Sequence, residues 1–139
     1  MFLGEYQHTI DAKGRLAIPA KFRGRLERGA VLVRGIELCL YVYPIETWEA
    51  KSQALETANI TPRQRRLIER RFFGTAFEVE LDVQGRIVVP TMFRTYASLV
   101  GDTTVLGARD RFEIWRTSQW DAYQEEMGNE DLSGIDLPF

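Results

Sequence analysis

An aspartate and an arginine four positions apart occur twice in this sequence, as Asp11 with Arg15 and as Asp82 with Arg86. A carboxylate at the start of a turn can accept backbone hydrogen bonds, and an arginine fork can bind a phosphate or the O6/N7 edge of guanine. Two interpretations stay open on the residues alone. Either each arginine contacts a polyanion such as DNA, or it only closes its own turn through the aspartate.

Both pairs belong to a longer segment that the chain repeats. Residues 11–23 read Asp-Ala-Lys-Gly-Arg-Leu-Ala-Ile-Pro-Ala-Lys-Phe-Arg, and residues 82–94 read Asp-Val-Gln-Gly-Arg-Ile-Val-Val-Pro-Thr-Met-Phe-Arg. Asp, Gly, Arg, Pro, Phe and Arg recur at a constant offset of 71, and Trp48 corresponds to Trp120 at an offset of 72. Such self-similarity indicates two copies of one structural unit. We expect four segments: a first unit at 5–50, a helical insert at 51–75, a second unit at 76–121 and an acidic C-terminal tail at 122–139.

The repeat must lie on elements that hold each arginine away from the protein body. Alternating apolar and polar residues predict strands over 6–10 and 77–81, and a tight turn follows each strand. Gly14 and Gly85 can supply the positive φ that such a turn requires. Because the alternation resumes after each arginine, we expect a β-hairpin in each copy with the arginine at its tip.

Prolines and turn residues indicate the remaining elements. Pro19 and Pro90 suit the first position of short helices, and Thr61 before a proline is typical of a helix N-cap. The predicted helices are 19–24, 45–57, 62–73 and 90–98, and the predicted further strands are 31–34, 38–43, 103–106 and 111–115. The fold class is therefore mixed α/β and mainly β.

Enzymatic chemistry finds little support. The only histidine, His8, corresponds to Val79 in the second copy, which favours a structural role in the core. Cys39 lies between two leucines and is expected to be a small core residue. No set of residues has the spacing of a zinc site or a phosphate loop. We expect no catalytic residue, no cofactor, no metal and no small-molecule substrate.

The charge distribution is compatible with a nucleic-acid partner. The chain has 18 basic and 20 acidic residues, but no lysine or arginine lies beyond Arg116 and six acidic residues do. The preceding body therefore carries a net charge of about +4. Five arginines cluster before the second copy, and they could contact DNA, seal a subunit interface or be merely solvated. They are Arg63, Arg65, Arg66, Arg70 and Arg71.

The N-terminus lacks the pattern of a secretory signal, no apolar run is long enough to span a membrane, and the single cysteine suits a reducing compartment. We expect a cytoplasmic protein without a membrane partner. Lys13 and Gln84 share the turn tips with the two arginines, and Arg23 and Arg94 lie one helical turn beyond each proline. The DNA-binding candidates are Arg15, Arg86, Lys13, Gln84, Arg23 and Arg94, and the turn-organising candidates are Asp11, Gly14, Asp82 and Gly85.

The repeated Asp-x-x-Gly-Arg-hydrophobic-x-hydrophobic-Pro pattern resembles the core of the AbrB/SpoVT swapped-hairpin DNA-binding domains. Two tandem copies separated by a helical insert resemble the MraZ family of bacterial regulators. The resemblance implies a pseudo-two-fold, double-psi-like swapped-hairpin β-barrel built from both copies, with helices between and after them. It also implies a nucleoid-associated, ring-forming homo-oligomer that binds direct repeats in the promoter of a division and cell-wall gene cluster, as a repressor. The motif carries a DNA-binding role onto Asp11, Arg15, Asp82 and Arg86.

Two other functions remain as alternatives at this point. An antitoxin of the AbrB type is possible within the same fold, although such proteins usually carry one copy and a longer tail. A ring-forming protein-interaction module, in which the arginine tips bind acidic partners, is the alternative from a different class.

Overall fold

Eight strands and five α-helices make up the computed structural model, which describes residues 1–139. A 3₁₀ turn at Gly24–Leu26 follows α1, and a π-helical turn at Glu69–Phe73 follows α3. The strands are β1 Glu5–Ile10, β2 Arg15–Ala17, β3 Ala30–Arg34, β4 Leu40–Pro44, β5 Phe77–Val79, β6 Arg86–Val88, β7 Gly101–Gly107 and β8 Phe112–Arg116. The helices are α1 Ala20–Arg23, α2 Ile45–Glu56, α3 Pro62–Ile68, α4 Thr91–Ala97 and α5 Thr117–Gly128.

The strands form two antiparallel sheets that mix the two copies. Six strands follow the order β1-β7-β8-β4-β3-β5, and β2 pairs with β6 in a separate two-stranded ribbon. In the two copies, β1 corresponds to β5, β7 to β3 and β8 to β4. Exchanging the copies therefore gives the same six-strand order read from the opposite edge of the sheet. The first strand of each copy thus pairs with a strand of the other copy. The two halves form one folding unit around a pseudo-two-fold axis.

The predicted closed β-barrel is not present. In the six-stranded sheet, β1 and β5 are free edges, and the β2–β6 ribbon is not hydrogen-bonded to either of them as a continuous ladder. The predicted hairpins are also not formed as paired strands. One turn hydrogen bond, from Asp11 N to Arg15 O at 3.1 Å, joins β1 to β2, but no ladder of backbone hydrogen bonds follows it. The reason is that β2 is only three residues long and its backbone pairs with β6 instead.

The core lies between the ribbon and one face of the six-stranded sheet. The Phe22 ring stands at its centre, with ring centroids 5.1 Å from Phe2, 5.3 Å from Tyr6 and 5.3 Å from Phe112. Leu16 and Ile87 point from the ribbon into this core and are fully buried. Such aromatic contacts and apolar burial are the main stabilising terms of a small domain. The ribbon is therefore anchored through its inner face.

The opposite face of the sheet carries a second apolar cluster. Tyr41, Tyr43 and Trp115 of the sheet pack there with Trp120 of α5 and with α2. None of the helices combines the length and the apolar character needed to cross a lipid bilayer.

Most predicted elements are found with small shifts at their ends. Pro19 is the N-cap of α1 and lies outside the helix, and the helix predicted over 62–73 changes from α to π geometry after Ile68. The expected capping role of Thr61 is confirmed: its hydroxyl accepts from Gln64 N at 3.1 Å. The tail expected at 122–139 begins inside α5, and only residues beyond that helix lack regular secondary structure.

Candidate nucleic-acid interface

The first arginine-bearing turn is closed by Asp11. One carboxylate oxygen, Oδ1, accepts from the backbone N–H groups of Lys13 and Arg15, both at 2.9 Å. The other, Oδ2, accepts from Arg15 Nε at 2.6 Å. Gly14 completes the turn with a φ of 83°, which a residue with a Cβ rarely adopts. The backbone N–H of Arg15, followed by its side chain, holds the pKa of Asp11 below its ordinary value.

The second turn repeats this geometry. Asp82 Oδ1 accepts from Gln84 N and Arg86 N at 2.9 Å, and Oδ2 accepts from Arg86 Nε at 2.9 Å. Gly85 has a φ of 76°. The pKa of Asp82 is lowered as well, chiefly by the backbone N–H of Arg86. The turn-closing interpretation of both aspartates is confirmed.

Closing the turn does not occupy the whole arginine. Each ion pair uses only Nε, and the terminal Nη1 and Nη2 atoms of Arg15 and Arg86 have no partner within the chain. The two side chains are 39% and 33% exposed. The aspartate thus orients each guanidinium and leaves its outer edge, the part that binds phosphate or guanine, directed to solvent. Turn closure and ligand contact are compatible.

The ribbon brings both arginines onto one surface. Leu16 lies opposite Ile87 and both face the core, so the neighbouring side chains on each strand face outward. Arg15 lies opposite Val88, and Arg86 lies opposite Ala17. The two arginines are therefore diagonal neighbours, with Cα atoms about 7–8 Å apart at this register. A two-stranded antiparallel ribbon has a width that the major groove of B-DNA admits.

Each turn is locked by the other copy. The Gly14 carbonyl accepts from Val89 N at 2.8 Å, and the Gly85 carbonyl accepts from Ile18 N at 2.9 Å. Both glycines are buried, and a Cβ on Gly14 would lie 2.5 Å from the Val89 carbonyl oxygen. Two turns that hold one another in this way position the arginines as a fixed pair.

Arg23 and Arg94 support these turns from below. Arg23 Nε donates to Ile18 O at 2.8 Å, and its guanidinium packs against Gly85. Arg94 Nε donates to Val89 O at 3.0 Å, and Nη1 donates to Ala12 O at 3.2 Å. Its Nη2 donates to Thr91 Oγ1 on α4 at 2.9 Å. These two candidates therefore carry a positioning role that sequence reasoning did not assign to them. Their recurrence at the same offset as the turns was the available signal.

The remaining candidates and several unexpected residues lie at the turn tips or on the ribbon. Lys13 and Gln84 are exposed and their side chains have no partner. Val83 at the second tip and Val88 on the ribbon are exposed apolar residues, 105% and 55% accessible. Sequence reasoning did not select these valines, because it considered only side chains that can form hydrogen bonds to DNA.

Two nucleophile or acid–base candidates lie away from this surface. His8 is half-buried on β1, where burial, followed by the charge of Arg23, lowers its pKa below 6.5, as expected for a structural histidine. Cys39 is fully buried just before β4, and burial raises the pKa of its thiol. The burial that each structural interpretation predicted is present, partial at His8 and complete at Cys39. No group of three or more His, Cys, Asp or Glu residues is close enough together to hold a metal ion.

Comparison with known proteins agrees with the duplication. The family described as "MraZ protein, putative antitoxin-like" matches the chain twice, over residues 1–71 and 72–136. A similar protein from Ligilactobacillus salivarius (strain UCC118), named Transcriptional regulator MraZ, is 44% identical over 126 residues. That alignment covers 91% of this chain and 88% of the relative. With both halves matched and a relative of this identity over nearly its full length, the chain belongs to the MraZ family of transcriptional regulators.

Proposed function

We propose that this regulator binds promoter DNA by inserting the β2–β6 ribbon into the major groove. The observation that carries the proposal is the pair of arginines on the outward face of the ribbon, each oriented by an aspartate and each with both terminal nitrogens free. Preorganised arginine forks read guanine by paired hydrogen bonds to O6 and N7. Arg15 and Arg86 are assigned to base reading.

The other exposed residues of the ribbon supply positioning and a second kind of readout. Lys13 and Gln84 at the tips contact phosphate oxygens, which fix the register of the protein on the duplex. Val83 and Val88 meet apolar edges such as the methyl group of thymine. Because the tips differ in these residues, the two copies do not read the same bases in the same way.

Two arginine contacts give a weak site, so affinity must come from repetition. We propose that several copies assemble into a ring and that neighbouring ribbons meet direct repeats in one promoter. The second contact on a ring then forms at high effective concentration, which raises overall affinity by 10² to 10⁴ without new contacts. Such a nucleoid-associated ring on the promoter of a division and cell-wall gene cluster blocks transcription and acts as a repressor.

Titration with the DNA upstream of the gene, at two salt concentrations, tests the proposal. The double variant R15A/R86A is compared with R109N, which removes one charge at the turn between β7 and β8. Arg109 has a φ of 71° and forms no side-chain bond, and asparagine tolerates that φ. We expect the double variant to lose specific binding and R109N to bind like the wild type.

Comparing promoter DNA with other DNA at both salt concentrations separates base reading from general electrostatic attraction. If the arginines read bases, specific affinity falls while weak non-specific binding to other DNA persists. If R15A/R86A binds its promoter as the wild type does, the tips do not contact DNA. Loss of binding in R109N to the same extent would mean that only net charge matters.

A protein-interaction role is the second candidate, favoured by the word "antitoxin-like" in the family description. In that case the arginine pair would bind an acidic protein partner. The double variant would then lose that partner in a pull-down while DNA binding stayed unchanged.

A further inference from the structure

Three of the five clustered arginines lie unpaired along one face of the helix that begins at Pro62. Arg65 donates to the Leu55 carbonyl, and the Arg71 guanidinium covers the Phe72 ring at 5.6 Å. The other three form no ion pair and no side-chain hydrogen bond, and their spacing of three and four residues places them side by side. We define this basic stripe as Arg63, Arg66 and Arg70, with Leu67 among them.

The basic stripe carries an exposed apolar residue at its centre. The Leu67 side chain is 62% exposed and stands among the three arginines. The apolar groove lined by Leu55 and Phe72 lies beneath the same helix, on the side opposite the basic stripe. Unpaired arginines around an exposed leucine match a segment that is both acidic and apolar.

The segment 129–139 has that composition. It carries three acidic residues, and its apolar side chains are among the exposed large hydrophobic residues of the chain. Leu132 and Ile135 are each 55% exposed, and Leu137 is 43% exposed. The acidic residues are Glu130, Asp131 and Asp136, and none of them forms an ion pair.

We propose that residues 129–139 of one copy dock onto the basic stripe of a neighbouring copy. Three acidic residues then face three arginines, and leucine and isoleucine side chains pack against Leu67. The proposal rests on the proposed assembly of several copies and names a contact that holds them together. It also assigns the open role of the arginine cluster to subunit contact.

The arrangement within one chain favours pairing between copies. The segment and the basic stripe are both exposed in the folded chain, and no hydrogen bond or ion pair joins them. Eleven extended residues reach at most about 36–40 Å from the end of α5, enough to cross a subunit boundary. A contact between two different surfaces of identical subunits is head-to-tail, the type that generates rings when it closes.

Charge exchange tests the contact in the absence of DNA. We expect R66E/R70E to require at least about tenfold higher protein concentration for assembly, measured by sedimentation, since opposed charges become like charges. The tail variant D131K/D136K should show the same loss, and a mixture of the two variants, or both sets in one chain, should restore assembly. E125K/E126K makes the same charge change on α5 and should assemble normally.

Disulfide trapping tells docking between copies from docking within one chain. Leu67→Cys and Ile135→Cys are placed on copies of different mass, and buried Cys39 stays unreactive. A bond between the two masses supports the proposal. A bond only within a chain that carries both changes, or no bond at all, overturns it. R15A/R86A should assemble and cross-link normally, so failure of DNA reading is distinguishable from failure of docking.

Discussion

Replacing Gly14 by alanine tests whether the cross-copy lock holds the arginine turns. Gly14 has a φ of 83°, and its carbonyl accepts the Val89 N–H at 2.8 Å. A new Cβ would lie 2.5 Å from the Val89 carbonyl oxygen and 3.0 Å from Arg94 Nε. The carbonyl is backbone of the paired ribbon, so it cannot move without disturbing the β2–β6 pairing.

The expected cost follows from two effects. The left-handed conformation costs a residue with a Cβ about 1–2 kcal/mol. Lengthening the bond between Val89 N and the Gly14 carbonyl removes about 0.5–1.5 kcal/mol more. We expect Gly14→Ala to lower the free energy of unfolding by roughly 2–3 kcal/mol. Gly85→Ala should cost less, about 1–2 kcal/mol, because the three atoms nearest its Cβ all belong to the Arg23 side chain, whereas the atom nearest the Cβ at Gly14 is a backbone carbonyl oxygen.

Urea denaturation at one fixed protein concentration measures these differences, and Gly24→Ala is the matched control. Gly24 has a helical φ of −60° and no atom near its missing Cβ, so alanine there should stabilise by about 0.4–1 kcal/mol. The predicted order of stability is Gly24→Ala, wild type, Gly85→Ala and then Gly14→Ala. If Gly14→Ala were as stable as Gly24→Ala, the proposed locking of the turns would be refuted.

Three further perturbations probe the core and the helices. His8→Val should flatten the pH dependence of stability. Burial and the charge of Arg23 lower the histidine pKa in the folded state, so the wild-type contribution is complete above the unfolded pKa of 6.5 and is lost as the pH falls toward the folded pKa. Melting temperatures at about pH 7 and pH 5 measure the difference between the two proteins. Phe22→Ala should cost about 3–5 kcal/mol in chemical denaturation, because it empties the centre of the aromatic core; a cost below about 1 kcal/mol would contradict that placement. Thr61→Ala should cost about 1 kcal/mol through loss of the capping box, and Thr61→Ser should retain it.

Much of the local structure could be predicted because the chain repeats itself. The shared Asp-x-x-Gly-Arg turn, the proline before each short helix and the alternation in each strand gave two independent indications of the elements that both copies contain. The comparison of His8 with Val79 correctly placed the histidine on the inward side of β1, where it is half-buried. A local pattern read twice is more reliable than the same pattern read once.

The pairing of strands could not be predicted from the same signals. Periodicity states which residues of β2 face inward, but Arg15 opposite Val88 depends on which strand lies beside it. The supporting role of Arg23 depends likewise on Gly85, 62 positions away in the chain. Contacts of this kind arise from the exchange of strands between the copies, which also leaves the sheet open at β1 and β5.

Replacing single guanines of one promoter repeat by 7-deazaguanine, which lacks the N7 acceptor, tests most directly whether the ribbon arginines read bases. Wild-type protein should lose about tenfold in affinity at a guanine that an arginine contacts. Arg15→Ala should become insensitive to the change at one guanine and Arg86→Ala at another, while R109N should remain as sensitive as the wild type. An equal loss in the wild type and in both tip variants, at every guanine, would contradict base reading by Arg15 and Arg86.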